Sequence, residues 1–388
     1  MSTDIALELK TKHNEKFGKE ALIVRSPGRV NIIGEHTDYN DGFVLPAAIN
    51  KAILVSINKR DDDTIHLFSD EFNQEHITKV AEVAPDDKQW PNYVLGVVDQ
   101  LNKRGFKIQG FNLMFDGNVP IGSGLSSSAA VECATAFALN ELFQLGIPKM
   151  QLAFIGQKAE HEFAKVMCGI MDQFASVFGK KDHVIKLDCK TLDYEYVPLK
   201  LDGYKIVLLN TNVKHSLASS EYNTRRAECG EGVAMIKEKH PGVESLRDVT
   251  IEMLNEIVQP ENPLVYQRCK YVVEESQRLL EACDALKSGD IKTLGQKMYG
   301  SHDGLSKEYE VSCKELDFLV DAVRNNSQVL GARMMGGGFG GCTINIVEEG
   351  AVDSLIEKLS KEYKENMGKE LTPYIAETAD GSSIVENV

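Results

Sequence analysis

Long hydrophobic runs are missing from this chain of 388 residues. A transmembrane helix needs about 20 consecutive, mostly apolar residues, and no segment of the sequence approaches that length. The N-terminal segment is polar and mixed in charge, without the apolar centre of a secretory signal. We therefore expect a cytoplasmic protein.

Paired cysteine motifs are also missing. The eight cysteines include no C-x-x-C pair, so the sequence offers neither a typical zinc site nor a dithiol redox motif. In a chain of this size, scattered cysteines are typical of reduced, mostly buried thiols.

Positive charge is in short supply, with 43 Lys and Arg against 58 Asp and Glu and a formal net charge of -15. A nucleic-acid-binding protein usually carries a basic patch, and an acidic chain repels a polyphosphate at long range. A phosphate ligand would have to be held locally by backbone N–H groups, a few cations and a metal ion. This requirement directs the search to the glycine-rich segments.

The chain is longer than one ordinary domain, so two domains are expected. Helical and strand patterns are mixed without a regular βαβ rhythm, which favours an α+β fold over a doubly wound parallel sheet. Continuous helices are predicted over Ser126–Phe143 and Lys149–Lys165. The turn-rich stretch Lys190–Gly203 marks the predicted boundary, giving domains 1–200 and 201–388.

The first candidate site is the segment Arg25–Tyr39, RSPGRVNIIGEHTDY. A short strand, Ala21–Arg25, is predicted to enter a turn at Ser26-Pro27-Gly28. Carboxylates and imidazole can hydrogen-bond several hydroxyls of a small polyol, and a charged surface loop is the alternative. The ionisable side chains within ten positions are Arg29, Glu35, His36 and Asp38.

The second is Pro120–Ala130, PIGSGLSSSAA, which leads into the predicted helix. A glycine-rich loop at a helix N-terminus offers free N–H donors and the positive end of the helix dipole, and a serine there could ligate Mg²⁺. The loop lacks the lysine of G-x-x-x-x-G-K-[ST], and Ser127 replaces the third glycine of G-x-G-x-x-G. The alternative is a turn in which Ser126 only caps the helix.

The third is Arg333–Cys342, RMMGGGFGGC, with five glycines in six positions. So many glycines let a backbone approach another group closely, and the alternating strand pattern that follows, Cys342–Val347, argues against a flexible linker. Between these segments, Asp172 follows small and apolar residues. From the residues alone it is either a site carboxylate or a helix cap or salt-bridge partner.

Taken in order, these segments resemble the three motifs of the GHMP small-molecule kinases, and Gly28–Tyr39 resembles the signature of the galactokinase family within that superfamily. The resemblance covers most of the chain. It implies two α+β domains with the active site in the cleft between them, and a monomer. The implied reaction is transfer of the γ-phosphoryl group of ATP, with Mg²⁺, to the C1 hydroxyl of D-galactose, the first step of galactose use by the Leloir pathway.

The resemblance also implies roles for individual residues. The sugar-binding positions of the family match Glu35, His36, Thr37, Asp38, Asp172 and Tyr222. The positions that wrap the ATP phosphates match Gly122, Ser123, Gly124, Leu125, Ser126, Ser127 and Ser128, and Ser69 is expected near the nucleotide. Ser128 and Glu160 match the Mg²⁺ positions, Asp172 the catalytic base, and Arg29 the cation beside that base. Met335 departs from the family, where many relatives carry Thr.

Other activities stay open at this point. An N-acetylgalactosamine kinase would need a pocket for the acetamido group, which the sequence does not locate. A mevalonate or homoserine kinase is disfavoured by the first segment. A non-catalytic galactose and ATP sensor is disfavoured because Arg29, Asp172 and the run Ser126–Ala130 are all present. A dinucleotide oxidoreductase is disfavoured by the missing glycine fingerprint.

Overall fold

A computed structural model of the protein describes residues 2–213 and 218–386. Its strands are β1 (Leu22–Asn31), β2 (Phe43–Val44), β3 (Pro46–Lys59), β4 (Thr64–Ser69), β5 (Gln74–Lys79), β6 (Phe111–Gly117), β7 (His183–Asp188), β8 (Tyr194–Pro198), β9 (Tyr204–Asn210), β10 (Val329–Met334), β11 (Cys342–Glu348), β12 (Thr372–Ala376) and β13 (Ser383–Ile384). Its α-helices are α1 (Ser2–Phe17), α2 (Asn92–Lys103), α3 (Ser127–Phe143), α4 (Lys149–Ala159), α5 (Met171–Phe178), α6 (Ala218–Lys239), α7 (Ile251–Met253), α8 (Pro263–Ser288), α9 (Ile291–Lys307), α10 (Lys314–Arg324) and α11 (Val352–Met367).

The largest sheet has the strand order β13-β1-β3-β6-β4-β5. Its strand pairs are antiparallel except β4 and β6, which run parallel. The Ala-rich helix α3 packs against β1 and β3, and its small buried side chains allow a close approach to the sheet. This packing places the N-terminus of α3 beside the end of β1.

The second sheet, in the order β10-β11-β9-β12, is antiparallel throughout. The alternating pattern of β11 predicts a half-buried strand, but Cys342 to Val347 are buried on both faces. The amide nitrogen of Asn345 is satisfied, because Nδ2 donates to Val207 O and to Thr343 Oγ1, both at 3.0 Å, while Asn345 Oδ1 has no partner among the described residues. The mixed, mainly antiparallel sheets confirm the predicted α+β class.

The strand β1 does not end where the sequence predicts. Instead of turning at Ser26-Pro27-Gly28, it continues to Asn31 with a shift in its register to β3 between Pro27 and Arg29. A β-bulge of this kind turns a side chain away from its regular direction. Gly28 is required there, because a Cβ at this position would lie 2.6 Å from the carbonyl oxygen of Leu125.

The helix predicted over Lys149–Lys165 is also interrupted. The α-helix α4 ends at Ala159, and a π-helical turn, Glu160–Ala164, follows it. The stretch 190–203 contains β8, which pairs with β7. The division of the chain near residue 200 stays a prediction.

The end of the described chain returns to its beginning, because β13 pairs with β1. No helix within residues 2–213 and 218–386 has the length and apolar character needed to cross a bilayer.

Candidate active site

A cavity of about 490 Å³ lies where the end of β1, the N-terminus of α3, the start of α5 and the third glycine-rich segment meet. Nine residues predicted from the sequence line it: Arg29, Glu35, His36, Asp38, Gly122, Ser128, Glu160, Asp172 and Tyr222. The backbone of Gly336, Gly337 and Gly338 forms another part of its wall. Residues far apart in the chain therefore share one site.

Arg29 and Asp172, the cation and the carboxylate predicted for catalysis, form a bidentate salt bridge. Arg29 Nε donates to Asp172 Oδ1 at 2.8 Å, and Arg29 Nη2 donates to Asp172 Oδ2 at 2.9 Å. The third nitrogen, Nη1, donates to Gly124 O at 2.6 Å, and Ser126 Oγ donates to Asp172 Oδ2 at 2.5 Å. Paired N–H···O bonds fix both position and orientation, so the pair joins the first motif to the segment Pro120–Ala130, which we call the phosphate loop after its predicted role.

The carboxylate of Glu35 is held by the third glycine-rich segment. Its Oε1 accepts from the backbone N–H of Gly336 at 2.8 Å and from Arg333 Nη2 at 3.2 Å. Arg333 is fully buried and also donates to the carbonyl oxygens of Asn31 and Ile32. Sequence reasoning assigned Arg333 no role, because an arginine beside glycines gives no sign of what it contacts.

Among the other predicted sugar-binding residues, His36 and Tyr222 pack together in a cluster of aromatic rings. His36 has a left-handed φ of 62° and its Nδ1 lies 2.7 Å from the Tyr39 hydroxyl, while its ring packs against that of Tyr222 with centroids 5.3 Å apart. Burial lowers the pKa of His36 to about 4. Burial, and next the charge of Asp172, raise the pKa of Asp38 to about 7.

Thr37 differs from its neighbours. Its hydroxyl donates to the carbonyl oxygens of Gly34 and Phe43, at 2.9 and 2.5 Å, and the residue does not line the cavity in the described part of the chain. Its side chain therefore holds the turn that carries His36 and Asp38. A direct contact with substrate by this side chain stays a prediction that the geometry does not support.

The phosphate loop has left-handed backbone at three positions and hydrogen bonds within the loop and to β1. Gly122, Gly124 and Ser126 have positive φ angles of 71°, 78° and 59°, a conformation that favours glycine at the first two positions. The buried Ser123 Oγ donates to Pro120 O at 2.6 Å. Leu125 is buried in the core and its carbonyl oxygen accepts from the N–H of Arg29 at 3.2 Å.

The two glycine-rich loops meet backbone to backbone. A Cβ on Gly336 would lie 3.3 Å from the Cα of Gly124, and one on Gly341 would lie 3.2 Å from the carbonyl oxygen of Ser123. The N-terminus of α3, at Ser127, follows directly on this contact. Free N–H groups and the helix dipole at that point favour an anion.

Ser128 and Glu160 are in direct contact in the cavity wall. Ser128 Oγ donates to Glu160 Oε1 at 3.0 Å. Glu160 is the first residue of the π-helical turn, and such turns are frequent at functional sites. Burial, and next the charge of Asp172, raise the pKa of Glu160 to about 7.

A second, largely apolar cavity of about 310 Å³ adjoins the first, and Tyr93 and Ser128 line both. Ser127 also lines the second cavity, and its apolar side chains include Trp90, Phe115, Val119 and Val131. Ser69 is buried and lines neither cavity. Glu71 and Phe72, which follow Ser69 in the chain, line the second cavity instead. Neither residue was predicted from the sequence.

Three family models match the chain. The galactokinase galactose-binding signature matches residues 11–59, the N-terminal domain of GHMP kinases residues 92–180, and their C-terminal domain residues 280–365. A galactokinase of Thermotoga petrophila is 46% identical over 360 residues, which cover 92% of this chain and 98% of that relative. The chain belongs to the galactokinase family.

Solved structures agree with this membership of the galactokinase family. The crystal structure of Lactococcus lactis galactokinase complexed with galactose has a TM-score of 0.94 and 36% identity, covering 98% of this chain and 100% of that one. The mevalonate kinase of Methanococcus jannaschii, with a TM-score of 0.68 and 18% identity over 93% of this chain and 99% of that one, shows only a shared fold. The resemblance to galactokinases found in the sequence is thus confirmed.

Two features of this galactokinase-family site were beyond sequence reasoning. One is Arg333, which holds Glu35. The other is Tyr93, which lies between the two cavities and comes from α2. An isolated Tyr at the start of a helix carries no signal that distinguishes it from a core residue.

Proposed function

We propose that the protein is a galactokinase that transfers the γ-phosphoryl group of ATP to the C1 hydroxyl of D-galactose, giving galactose 1-phosphate and ADP. The observation that carries the proposal is the Arg29–Asp172 pair, which faces a cavity between a polar cluster and the N-terminus of α3. The Lactococcus relative, solved with galactose, supports the choice of sugar. We further propose that the protein acts in the cytoplasm as a monomer.

In this mechanism Asp172 accepts the proton of the C1 hydroxyl while the hydroxyl oxygen attacks the γ-phosphorus and ADP leaves. Arg29 holds the Asp172 carboxylate by two hydrogen bonds and stabilises negative charge on the γ-phosphoryl oxygens. Phosphoryl transfer depends mainly on positioning and on neutralising charge, and both groups are fixed by hydrogen bonds before substrate arrives.

The sugar is proposed to lie against Glu35, His36, Asp38 and Tyr222. Carboxylates accept hydrogen bonds from sugar hydroxyls, and a neutral imidazole can donate or accept. An epimer with one misplaced hydroxyl leaves a buried partner unpaired, so galactose should be strongly preferred over glucose.

The triphosphate is proposed to lie along residues 122–128, with the base of ATP in the apolar second cavity. The aromatic and aliphatic side chains there offer a planar base a dry surface. Tyr93 and Ser128 line both cavities, which gives one continuous path from base to phosphates.

The residues present fit Mg²⁺. Ser128 and Glu160 offer two oxygen ligands on neighbouring elements. The described part of the chain contains no cluster of three or more His, Cys, Asp or Glu side chains that could hold a metal ion by itself. Mg²⁺ in kinases is typically held by one or two carboxylates together with substrate phosphates. When held by Ser128 and Glu160, it would neutralise part of the negative charge of the triphosphate.

The test is release of ADP from ATP and Mg²⁺ with galactose, N-acetylgalactosamine, glucose, mevalonate and homoserine in parallel. We expect turnover with galactose and little with the other four. Comparable kcat/KM for galactose and N-acetylgalactosamine would contradict the proposed specificity. If no compound is turned over while galactose still raises the melting temperature, the kinase proposal is wrong and a sensor is the better interpretation.

A further inference from the structure

Two fully buried side chains lie behind the cavity wall: Gln173 contacts Glu160, and Glu132 contacts Gln173. Gln173 Nε2 donates to Glu160 Oε2 at 2.9 Å, and the same nitrogen donates to Glu132 Oε2 at 3.0 Å. Gln173 and Glu132 are both 0% exposed, and neither lines the cavity. The proposed mechanism uses neither of them.

We infer that Gln173 and Glu132 are positioning residues, which fix the Glu160 carboxylate in the orientation required of a Mg²⁺ ligand. The inference rests on the proposed function, because it assigns the purpose of the contact to the metal of ATP. Residues that orient a metal ligand typically change metal affinity or activity by about 10- to 100-fold when they are removed.

Helix α3 contributes to the contacts at both oxygens of Glu160, directly through Ser128 and through Gln173 of α5 by way of Glu132. Ser128 and Glu132 are four residues apart in α3 and therefore lie on the same face. Ser128 donates directly to Oε1 of Glu160, and Glu132 holds the Gln173 amide that donates to Oε2. A carboxylate anchored at both oxygens is fixed in the rotation of its terminal bond, which is otherwise broad.

Space for this arrangement comes from a glycine on the neighbouring helix α4. A Cβ on Gly156 would lie 3.1 Å from Cγ of Gln173 and 3.4 Å from Cβ of Glu132. The contact with Gln173 is tight, so a larger residue at this position would press on that side chain. Helix α4 thus approaches closely enough to enclose the two polar side chains without filling their space.

The arrangement also connects the two halves of the site. Asp172 and Gln173 are neighbours in the first turn of α5, and their side chains contact different partners, Arg29 and Glu160. One helical turn therefore sets both the proposed base and the proposed metal carboxylate. A displacement of Gln173 should affect the metal first, because Asp172 has its own anchors in Arg29 and Ser126.

The experiment compares Gln173→Leu, Glu132→Leu and the conservative Glu132→Gln in the full chain. Thr135→Val is the matched control, since Thr135 is a buried polar residue of the same helix whose hydroxyl has no hydrogen-bond partner among the described residues. Mn²⁺ binding to the complex with a non-hydrolysable ATP analogue is measured by electron paramagnetic resonance. Galactose affinity is measured by calorimetry, and kcat is followed as a function of free Mg²⁺.

Gln173→Leu and Glu132→Leu should weaken Mn²⁺ binding by about 10- to 100-fold and raise the Mg²⁺ concentration needed for half-maximal rate similarly. Galactose affinity should change less than about twofold. Glu132→Gln keeps an oxygen that accepts from Gln173, so it should retain near wild-type Mn²⁺ binding, as should Thr135→Val.

Unchanged Mn²⁺ binding in Gln173→Leu, or equal losses of Mn²⁺ and galactose affinity, would overturn the positioning role. Loss of Mn²⁺ binding in Thr135→Val as large as in Gln173→Leu would also overturn it, since the effect would then be general to the buried helix. These outcomes are independent of the proposed reaction. A wild-type protein that binds Mn²⁺ and the analogue but does not phosphorylate galactose refutes the function alone.

Discussion

Replacing Asp172 by Asn tests the centre of the proposed mechanism. The carboxylate accepts from Arg29 Nε and Nη2 and from Ser126 Oγ, at 2.8, 2.9 and 2.5 Å. An amide of the same size keeps one accepting oxygen but turns an NH₂ group towards a donor, and it removes the negative charge that Arg29 faces. The substitution therefore removes the base and one half of an ion pair with little change in shape.

The magnitude follows from these contacts. Loss of a group that transfers a proton typically lowers the rate by about 10²–10⁴-fold, which corresponds to about 3–5 kcal/mol in the barrier. Breaking a fully buried ion pair costs about 3–5 kcal/mol of stability. The Asp172 side chain is 25% exposed, so solvent screens part of this loss and about 1–3 kcal/mol is expected.

The assay is ADP release at saturating galactose and ATP, together with galactose affinity by calorimetry and unfolding in urea. We expect kcat to fall in the stated range while galactose affinity changes little. Ser126→Ala is the matched comparison, because it removes one hydrogen bond to the same carboxylate without changing its charge, and its kcat should fall less. An Asp172→Asn protein that keeps most of its kcat would refute the base assignment and leave charge stabilisation by Arg29 as the main catalytic device.

Three further predictions concern the sugar side of the site. Because the folded state holds a proton on Asp38 up to a pKa of about 7, against 3.8 ordinarily, the unfolded state binds fewer protons and stability falls as pH rises through 7. The melting temperature of the ligand-free protein should therefore decrease from pH 6.5 to about 8, and it should decrease less in Asp38→Asn. The same change of melting temperature with pH in both proteins would contradict the raised pKa of Asp38. In Gly169→Ala, the new Cβ would lie 1.9 Å from Asp38 Oδ2, so kcat/KM for galactose should fall by up to about 10²-fold; unchanged galactose kinetics would show that Asp38 is not a sugar ligand. Arg333→Met leaves Glu35 buried without its cation and should lower the free energy of unfolding in urea by about 3–5 kcal/mol. A decrease below about 1 kcal/mol would show that the N–H of Gly336 alone is enough to hold the Glu35 carboxylate.

The residues of the site were largely predictable because each motif is contiguous in sequence and distinctive in composition. What the sequence could not show is how the motifs meet. The bond from Arg333 to Glu35 joins residues 298 positions apart, and no local pattern encodes it. The π-helical turn at Glu160 is likewise invisible, because its residues have ordinary helical propensities and only tertiary contacts select the wider turn.

The fold was predictable where periodicity was strong and not where packing overrides propensity. Helix α9 has glycine at 295, 300 and 304, which argues against a helix because each glycine costs about 1 kcal/mol relative to alanine. Two of these glycines permit close packing: a Cβ on Gly295 would lie 2.0 Å from Leu330 O, and one on Gly304 would lie 2.7 Å from the ring of Tyr271. The contact with the second sheet offsets the poor intrinsic propensity.

The meeting of the two glycine-rich loops has a consequence for the order of events during synthesis. Domains generally begin to fold from the N-terminal side as the chain emerges from the ribosome. The phosphate loop and Glu35 belong to the first third of the chain, but their supports, Arg333, Gly336 and Gly341, are translated near its end. A nascent chain can therefore form much of the first sheet and still lack a rigid substrate site, so the proposed substrates galactose and ATP would stabilise it only once translation is almost complete.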